Sequence, residues 1–260
     1  RTQHEFLLNQ PGRTNSPWFG PFCDLVAECA GVGPGMRVLD VACGTGVLAC
    51  TAAQRAGPRG SVVGLDANPE MLAVARRKRF AIEWIDGRAE ALPFPDASFD
   101  AVVSQFGMMF FDDRAQALRE MRRVLRPACR LAVAVCDAVE HSPGYGALAA
   151  LLQQLFGVRV ADAFRAPFAI GDPQLLRSIC DQAGLTQAEI ATRTAIVRFP
   201  SIDALVSTER ACVWTLGGLL DDAQFDEPLI EARRVQRPFV QADGSVAFEM
   251  PALLITASAD

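Results

Sequence analysis

Acidic residues stand where successive apolar runs of this chain stop, and the first is followed by a glycine-rich loop. Residues 37–50 read Arg-Val-Leu-Asp-Val-Ala-Cys-Gly-Thr-Gly-Val-Leu-Ala-Cys. An apolar run carries Asp40, a loop follows with Ala42, Cys43, Gly44 and Gly46, and a helical pattern begins at Val47. Strand, tight loop and helix bring backbone N–H groups and a helix N-terminus up to a ligand. Glycine allows the close approach or positive φ that such a loop requires. The string Gly44-x-Gly46-x-x-Ala49 satisfies a dinucleotide-binding pattern. A carboxylate at Asp40, however, would repel a pyrophosphate and favour a ligand bearing positive charge. The next apolar run, Ser61–Leu65, ends at Asp66, where an acidic side chain can accept hydrogen bonds from both hydroxyls of a ribose. A third run, Ala81–Ile85, ends in Asp86-Gly87-Arg88-Ala89.

The rarer residue types narrow the chemistry. Lys78 is the only lysine and sits in the basic run 76–79, which argues against Schiff-base catalysis. The histidines are His4 and His141, and the one tyrosine is Tyr145. No HExxH, GxSxG or P-loop string occurs. The eight cysteines form no C-x-x-C pair and read as reduced core thiols, and no metal site is expected. A net charge of −5 argues against a nucleic-acid partner. No apolar run reaches membrane-spanning length and no secretory signal is seen, so a cytoplasmic location without stable membrane insertion is expected.

The string Asp40-Val-Ala42-Cys43-Gly44-Thr-Gly46 resembles motif I of the class I S-adenosylmethionine-dependent methyltransferases, (D/E)-x-G-x-G-x-G, with Ala42 in place of the first glycine. Gly64-Leu-Asp66-x-x-Pro69-x-Met71-Leu72 is similar to their second motif. Leu92-Pro-Phe-Pro-Asp-Ala-Ser-Phe-Asp100 resembles a segment of the branch that serves ubiquinone and menaquinone biosynthesis, as does Leu118–Pro127. The resemblance covers about residues 35–137 and thins beyond. It implies S-adenosylmethionine as cofactor and S-adenosylhomocysteine as product. The implied cofactor-binding positions are Asp40, Ala42, Cys43, Gly44, Gly46, Asp66, Ala67 and Met71, with Asp86, Gly87, Arg88 and Ala89 at the adenine. Ser104 and Gln105 would line the methionine end. Ser104-Gln-Phe-Gly107 stands where amino-group methyltransferases place (N/D/S)-P-P-(Y/F), and that subclass is rejected.

The elements that must position these residues follow from pattern and punctuation. A helix is expected over 18–30, and strands over 61–65, 81–85, 99–103, 130–136, 185–192 and 245–256, besides the one that carries Asp40. Asn68 reads as an N-cap with Pro69 first in its helix, Glu70–Lys78, and Asp112 or Asp113 caps another with Gln116 as partner. Arg119, Arg122, Arg123 and Arg126 on that helix read as a solvated face. Further helices are expected over 145–156 and from Asp172-Pro173 to Asp181, the latter ended by Gly184, with more after Ser201, one of them holding Cys212–Leu220. The expected fold is α/β: a Rossmann-like, doubly wound, mostly parallel seven-stranded sheet with an antiparallel last strand and a helical substrate lid. Residues 1–260 are taken as one domain, with 1–34 a helical cover, 35–137 the cofactor core, 138–183 and 200–240 lid insertions, and 241–260 the last strand.

Methyl transfer is an in-line displacement that demands alignment and desolvation, and only a weak acceptor needs a base. His141, just past the fifth strand, is the candidate base, since imidazole titrates near neutrality. Tyr145 is a candidate for positioning the substrate. The leading expectation is transfer to O or C of a small, largely apolar metabolite by a monomer or homodimer. An NAD(P)-dependent oxidoreductase and a cofactor-binding protein without turnover stay open.

Overall fold

The computed structural model describes residues 20–211 and 230–259. Helices are α1 (Gly20–Cys29), α2 (Val47–Ala56), α3 (Pro69–Ala75), α4 (Arg114–Val124), α5 (Pro143–Phe156), α6 (Val158–Arg165), α7 (Pro173–Gln182) and α8 (Ile202–Ala211). Strands are β1 (Arg37–Val41), β2 (Ser61–Asp66), β3 (Ile82–Asp86), β4 (Phe99–Gln105), β5 (Leu125–Cys136), β6 (Glu189–Phe199) and β7 (Val246–Ser258). They form one sheet in the order β3-β2-β1-β4-β5-β7-β6. The β1–β2, β2–β3, β1–β4 and β4–β5 pairs are parallel. β7 returns antiparallel, as expected. The reversal of strand order at β1 and β4 leaves a crevice outside their carboxyl ends, where ligands of such sheets bind.

The described residues fall into two compact units. One holds 20–135, 172–193 and 252–259; the other holds 136–171, 194–211 and 230–251. In the first, β1 is buried from Val38 to Val41 and β4 from Ala101 to Gln105, so both read as apolar runs. α1 buries Phe22, Cys23, Val26 and Ala27. In the second, Tyr145, Phe164, Phe168 and Phe248 surround one another, with Tyr145 edge-on to Phe248 at 4.9 Å.

Caps behave as the sequence indicates. Asn68 accepts from the N–H of Glu70 at 2.9 Å and of Met71 at 3.4 Å, and Asp113, not Asp112, accepts from Gln116 N at 2.8 Å. Four expectations need correction. β5 starts at Leu125, because Leu125 already pairs with Phe99. β6 covers Glu189–Phe199, because the turn that closes α7 occupies Leu185–Ala188, with Leu185 N–H on the Cys180 carbonyl. Residues 158–165 form α6, which the sequence did not suggest. The α4 arginines are not idle on a solvated face. Arg119 donates to Gln182 O, Arg122 to Gly184 O and Arg126 to Ala97 O. Arg123 binds Glu120, Asp96 and the carbonyls of Leu92 and Phe94. The apolar helix expected at Cys212–Leu220 lies outside the described residues, as do His4 and the turns before residue 20.

Candidate functional site

The strand register brings the acidic residues to one sheet edge. Asp40 is level with Gly64 and with Val103, and Asp66 is level with Asp86. The loop from Ala42 to Gly46 therefore leaves β1 beside the ends of β2 and β4. Gly44 has φ +54 and Gly46 φ +78, left-handed values that favour glycine. The two differ in surroundings. A Cβ on Gly44 would meet nothing within 4 Å, whereas one on Gly46 would lie 2.3 Å from the Trp84 ring. Gly44 thus faces open space and Gly46 is packed. Trp84, which the sequence reading passed over, also lies 2.5 Å from a Cβ built on Gly64. Trp84 thus lies over two glycines, Gly46 and Gly64, and that pairing was the available signal.

Asp66 holds the loop. One carboxylate oxygen accepts the Gly44 N–H and the other the Asn68 N–H, each at 2.8 Å. Burial raises its pKa, the two backbone bonds oppose the rise, and Asp86 adds to it. A carboxylate has about four lone-pair sites, so two remain for a diol after these bonds. Asp86 is exposed and Ala89 buried. Arg88 reaches Asp112 at 2.5 Å, and Glu90 Oε1 accepts from Asp112 N at 2.9 Å. The 86–90 turn is thereby tied to the start of α4. Met71 is half-buried and Ala67 exposed.

Asp40 is placed differently from a surface carboxylate. It is 1% exposed, and its Oδ2 has no hydrogen-bond partner among the described residues. Burial, then the Asp66 charge, holds its pKa well above the usual carboxylate range. The discrimination drawn above from a charged Asp40 therefore does not operate at the loop surface. Cys43 is likewise buried, which pushes its thiol up. Ser104 is fully buried with Oγ unpartnered among the described residues, and Gln105 is buried beside α1. The orphaned Asp40 Oδ2 and Ser104 Oγ, the open face of Gly44 and the spare lone pairs of Asp66 suit an adenosyl amino acid.

His141 and Tyr145 belong to the other unit. His141 is well exposed, and its Nδ1 lies 3.1 Å from Asp137 Oδ1, which also accepts Ala138 N at 2.7 Å. Gly171 packs against this turn: a Cβ there would come within 2.3 Å of Ala138 N. The contact places the ring beside the Asp137 carboxylate through Nδ1. Tyr145 has no exposed surface and serves the aromatic core, so contact with a substrate is not assigned to it. Two surface cavities, of about 400 Å³ by Arg119, Arg122 and Arg123 and about 330 Å³ by Glu140 and Phe168, are lined by none of the cofactor candidates. Among the described residues no cluster suits a metal, no helix is long and apolar enough to cross a membrane, and no disulfide joins the seven cysteines.

Comparison with known proteins bears on the same edge. The family model described as "Methyltransferase domain" matches residues 38–128. The ubiquinone/menaquinone biosynthesis C-methyltransferase of Hahella chejuensis is 38% identical over 172 residues, covering 60% of this chain and 69% of that protein. The 2-phytyl-1,4-naphtoquinone methyltransferase of Synechocystis is 41% identical over 138 residues. That match takes in 51% of this chain and 56% of the relative, so the chain spans little more than half of it. Among solved structures, the YcgJ protein of Bacillus subtilis superposes with a TM-score of 0.56 at 21% identity, covering 91% of this chain and 97% of that one. A SAM-dependent methyltransferase of Aquifex aeolicus gives 0.51 at 17%, covering 97% and 98%. These two likenesses concern the fold.

Proposed function

This chain belongs to the class I S-adenosylmethionine-dependent methyltransferases of the quinone-biosynthesis type, and from that premise we propose that it methylates C or O of a small, largely apolar acceptor with a quinone-type ring. The observation that carries the reading is Gly44, turned toward open space at the crevice and pinned by Asp66. The comparisons lend no support to an oxidoreductase.

When bound, S-adenosylmethionine supplies a methyl group on a sulfonium, which leaves as a neutral thioether. The chain's part is to bind, align and exclude water. Asp66 offers its two spare lone pairs to the ribose hydroxyls, and Asp86 with the main chain of Gly87–Ala89 meets the adenine. Ala42, Cys43, Gly44 and Gly46 carry the backbone close to the ligand, Ala67 and Met71 flank it, and Ser104 and Gln105 meet its methionine end. The proton lost by the acceptor passes to His141 Nε2, with Asp137 fixing the ring through Nδ1. The reading includes a cytoplasmic enzyme, monomeric or homodimeric, with no nucleic-acid partner, for which size-exclusion chromatography is the check.

The test is calorimetric titration with S-adenosylmethionine and S-adenosylhomocysteine against NADH and NADPH, followed by transfer of labelled methyl to a 2-alkyl-1,4-naphthoquinol. Binding of the adenosyl pair with label in the quinol is the expected result. Binding of nicotinamides alone overturns the reading.

A further inference from the structure

Ala42 departs from the glycine pattern that its loop resembles, and a residue on the neighbouring strand end makes room for it. Ala42 has φ +56, left-handed in spite of its Cβ. Gly107 lies against it. A Cβ on Gly107 would come 2.5 Å from the Ala42 Cβ, 3.6 Å from the Ala42 carbonyl oxygen and 3.5 Å from Ser104 Oγ. Gly107 itself has φ −106 and ψ −33, which any residue adopts. Contact alone, not conformation, requires glycine there. The chain reaches this point through Phe106, also left-handed at φ +55. Phe106 is held by its N–H on Ala134 O at 2.8 Å and by its ring, edge-on to Phe22 at 5.2 Å. Two left-handed residues that carry side chains thus stand at adjacent strand ends, an arrangement that persists only when its surroundings over-determine it.

We propose that Ala42 and Gly107 form a reciprocal pair that positions the cofactor loop at the methionine end of the donor. The glycine demanded by close approach stands at 107, on the turn after β4, instead of at 42. This rests on the methyl-transfer reading above. A methyl group added at 107 must push the Ala42 loop away from β4. Asp66 and Asp86 lie on β2 and β3, on the other side of β1 from that contact. The disturbance therefore falls on binding of the amino-acid portion and spares the nucleoside portion.

The experiment is a double-mutant cycle of the full chain, Ala42→Gly, Gly107→Ala and the pair, titrated with S-adenosylhomocysteine and with adenosine, which lacks the amino-acid portion. Gly107→Ala should weaken S-adenosylhomocysteine about tenfold, as expected of overpacking, and adenosine less than about twofold. The double variant should return to within about threefold of wild type, the mark of coupled neighbours. A double variant no tighter than Gly107→Ala overturns the proposal. So does equal weakening of both ligands, which would show a merely structural role. If Gly107→Ala does not fold, the double variant must fold and bind S-adenosylhomocysteine, or the proposal fails. Wild type that binds neither ligand would sink the methyl-transfer reading instead, and the melting temperatures then decide the pair: a fall in Gly107→Ala that the double variant does not restore overturns it.

Discussion

Asp66→Ala removes the acceptor of two main-chain bonds at once, those from Gly44 and Asn68, both at 2.8 Å. Bonds to a charged group contribute about 1.5–3 kcal/mol each. Two considerations select the lower end. Asp66 is only half-buried, so water replaces part of what is lost. Burial also raises its pKa in spite of both bonds, so the ionised form is itself penalised. The expected loss is about 3 kcal/mol, which in a chain of this size lowers the melting temperature by roughly 6–12 °C. The ligand effect is separate. Loss of the two ribose acceptors and a loosened Gly44 should weaken S-adenosylhomocysteine by about tenfold to a hundredfold. Asp66→Asn is the control: its amide oxygen can accept from one N–H while its NH₂ opposes the other, so it should fall between wild type and Ala. Thermal melts and calorimetric titration of all three proteins read both effects. A melting temperature for Asp66→Ala within about 2 °C of wild type would refute the latch, and unchanged affinity would refute the ribose role.

Four further outcomes follow from other parts of the same unit and from the His141 turn. Burial holds the folded pKa of Asp40 well above the unfolded value of 3.8, so its contribution is fully present below 3.8 and is lost as pH rises through the folded value. Asp40→Asn should therefore gain on wild type in melts as pH climbs from 4 to 8, and a difference flat with pH would contradict the raised pKa. Gly44→Ala meets open space and should cost only about 1 kcal/mol, for its left-handed turn, yet obstruct S-adenosylhomocysteine. Gly46→Ala runs into Trp84 and should cost more than about 3 kcal/mol; equal losses in denaturant titrations would refute the distinction. Arg123→Ala should lose about 2–4 kcal/mol, because Arg123 joins Glu120 at 2.7 Å to the Leu92 and Phe94 carbonyls. Lysine, without the planar fork, should rescue little of it. Since Arg123 lowers the Glu120 pKa, that stability is present above the unfolded 4.5 and fades as pH falls through the folded value. His141→Gln should slow methyl transfer about a hundredfold with unchanged S-adenosylhomocysteine affinity, and Asp137→Asn should slow it less; full activity in His141→Gln removes the base from the mechanism.

What the sequence announced and what it hid differ by range. Asn68 and Asp113 cap helices through main-chain groups two or three residues away, and both were legible from neighbouring letters. The glycine loop and the acidic strand ends were legible for the same reason: a tight turn and a sheet edge are local demands. The Asp66–Gly44 bond joins positions 22 apart, and Arg119 reaches Gln182 across 63. No periodicity records such pairs, so the α4 arginines looked solvated and the bond from Gly44 to Asp66 went unseen. Asp40 shows the more instructive case, because its letter was read as a charge and only the packing around it reveals a buried carboxyl whose pKa is pushed well above the usual range. The Ala42–Gly107 contact completes the argument. Read singly, Ala42 is a mild lapse from a pattern and Gly107 an ordinary turn residue. Read as neighbours on adjacent strand ends, each explains the other. A departure from a motif is thus best interpreted by asking which contact surrenders the atoms that the departure adds, and in a parallel sheet the answer lies across the ladder, far away in sequence.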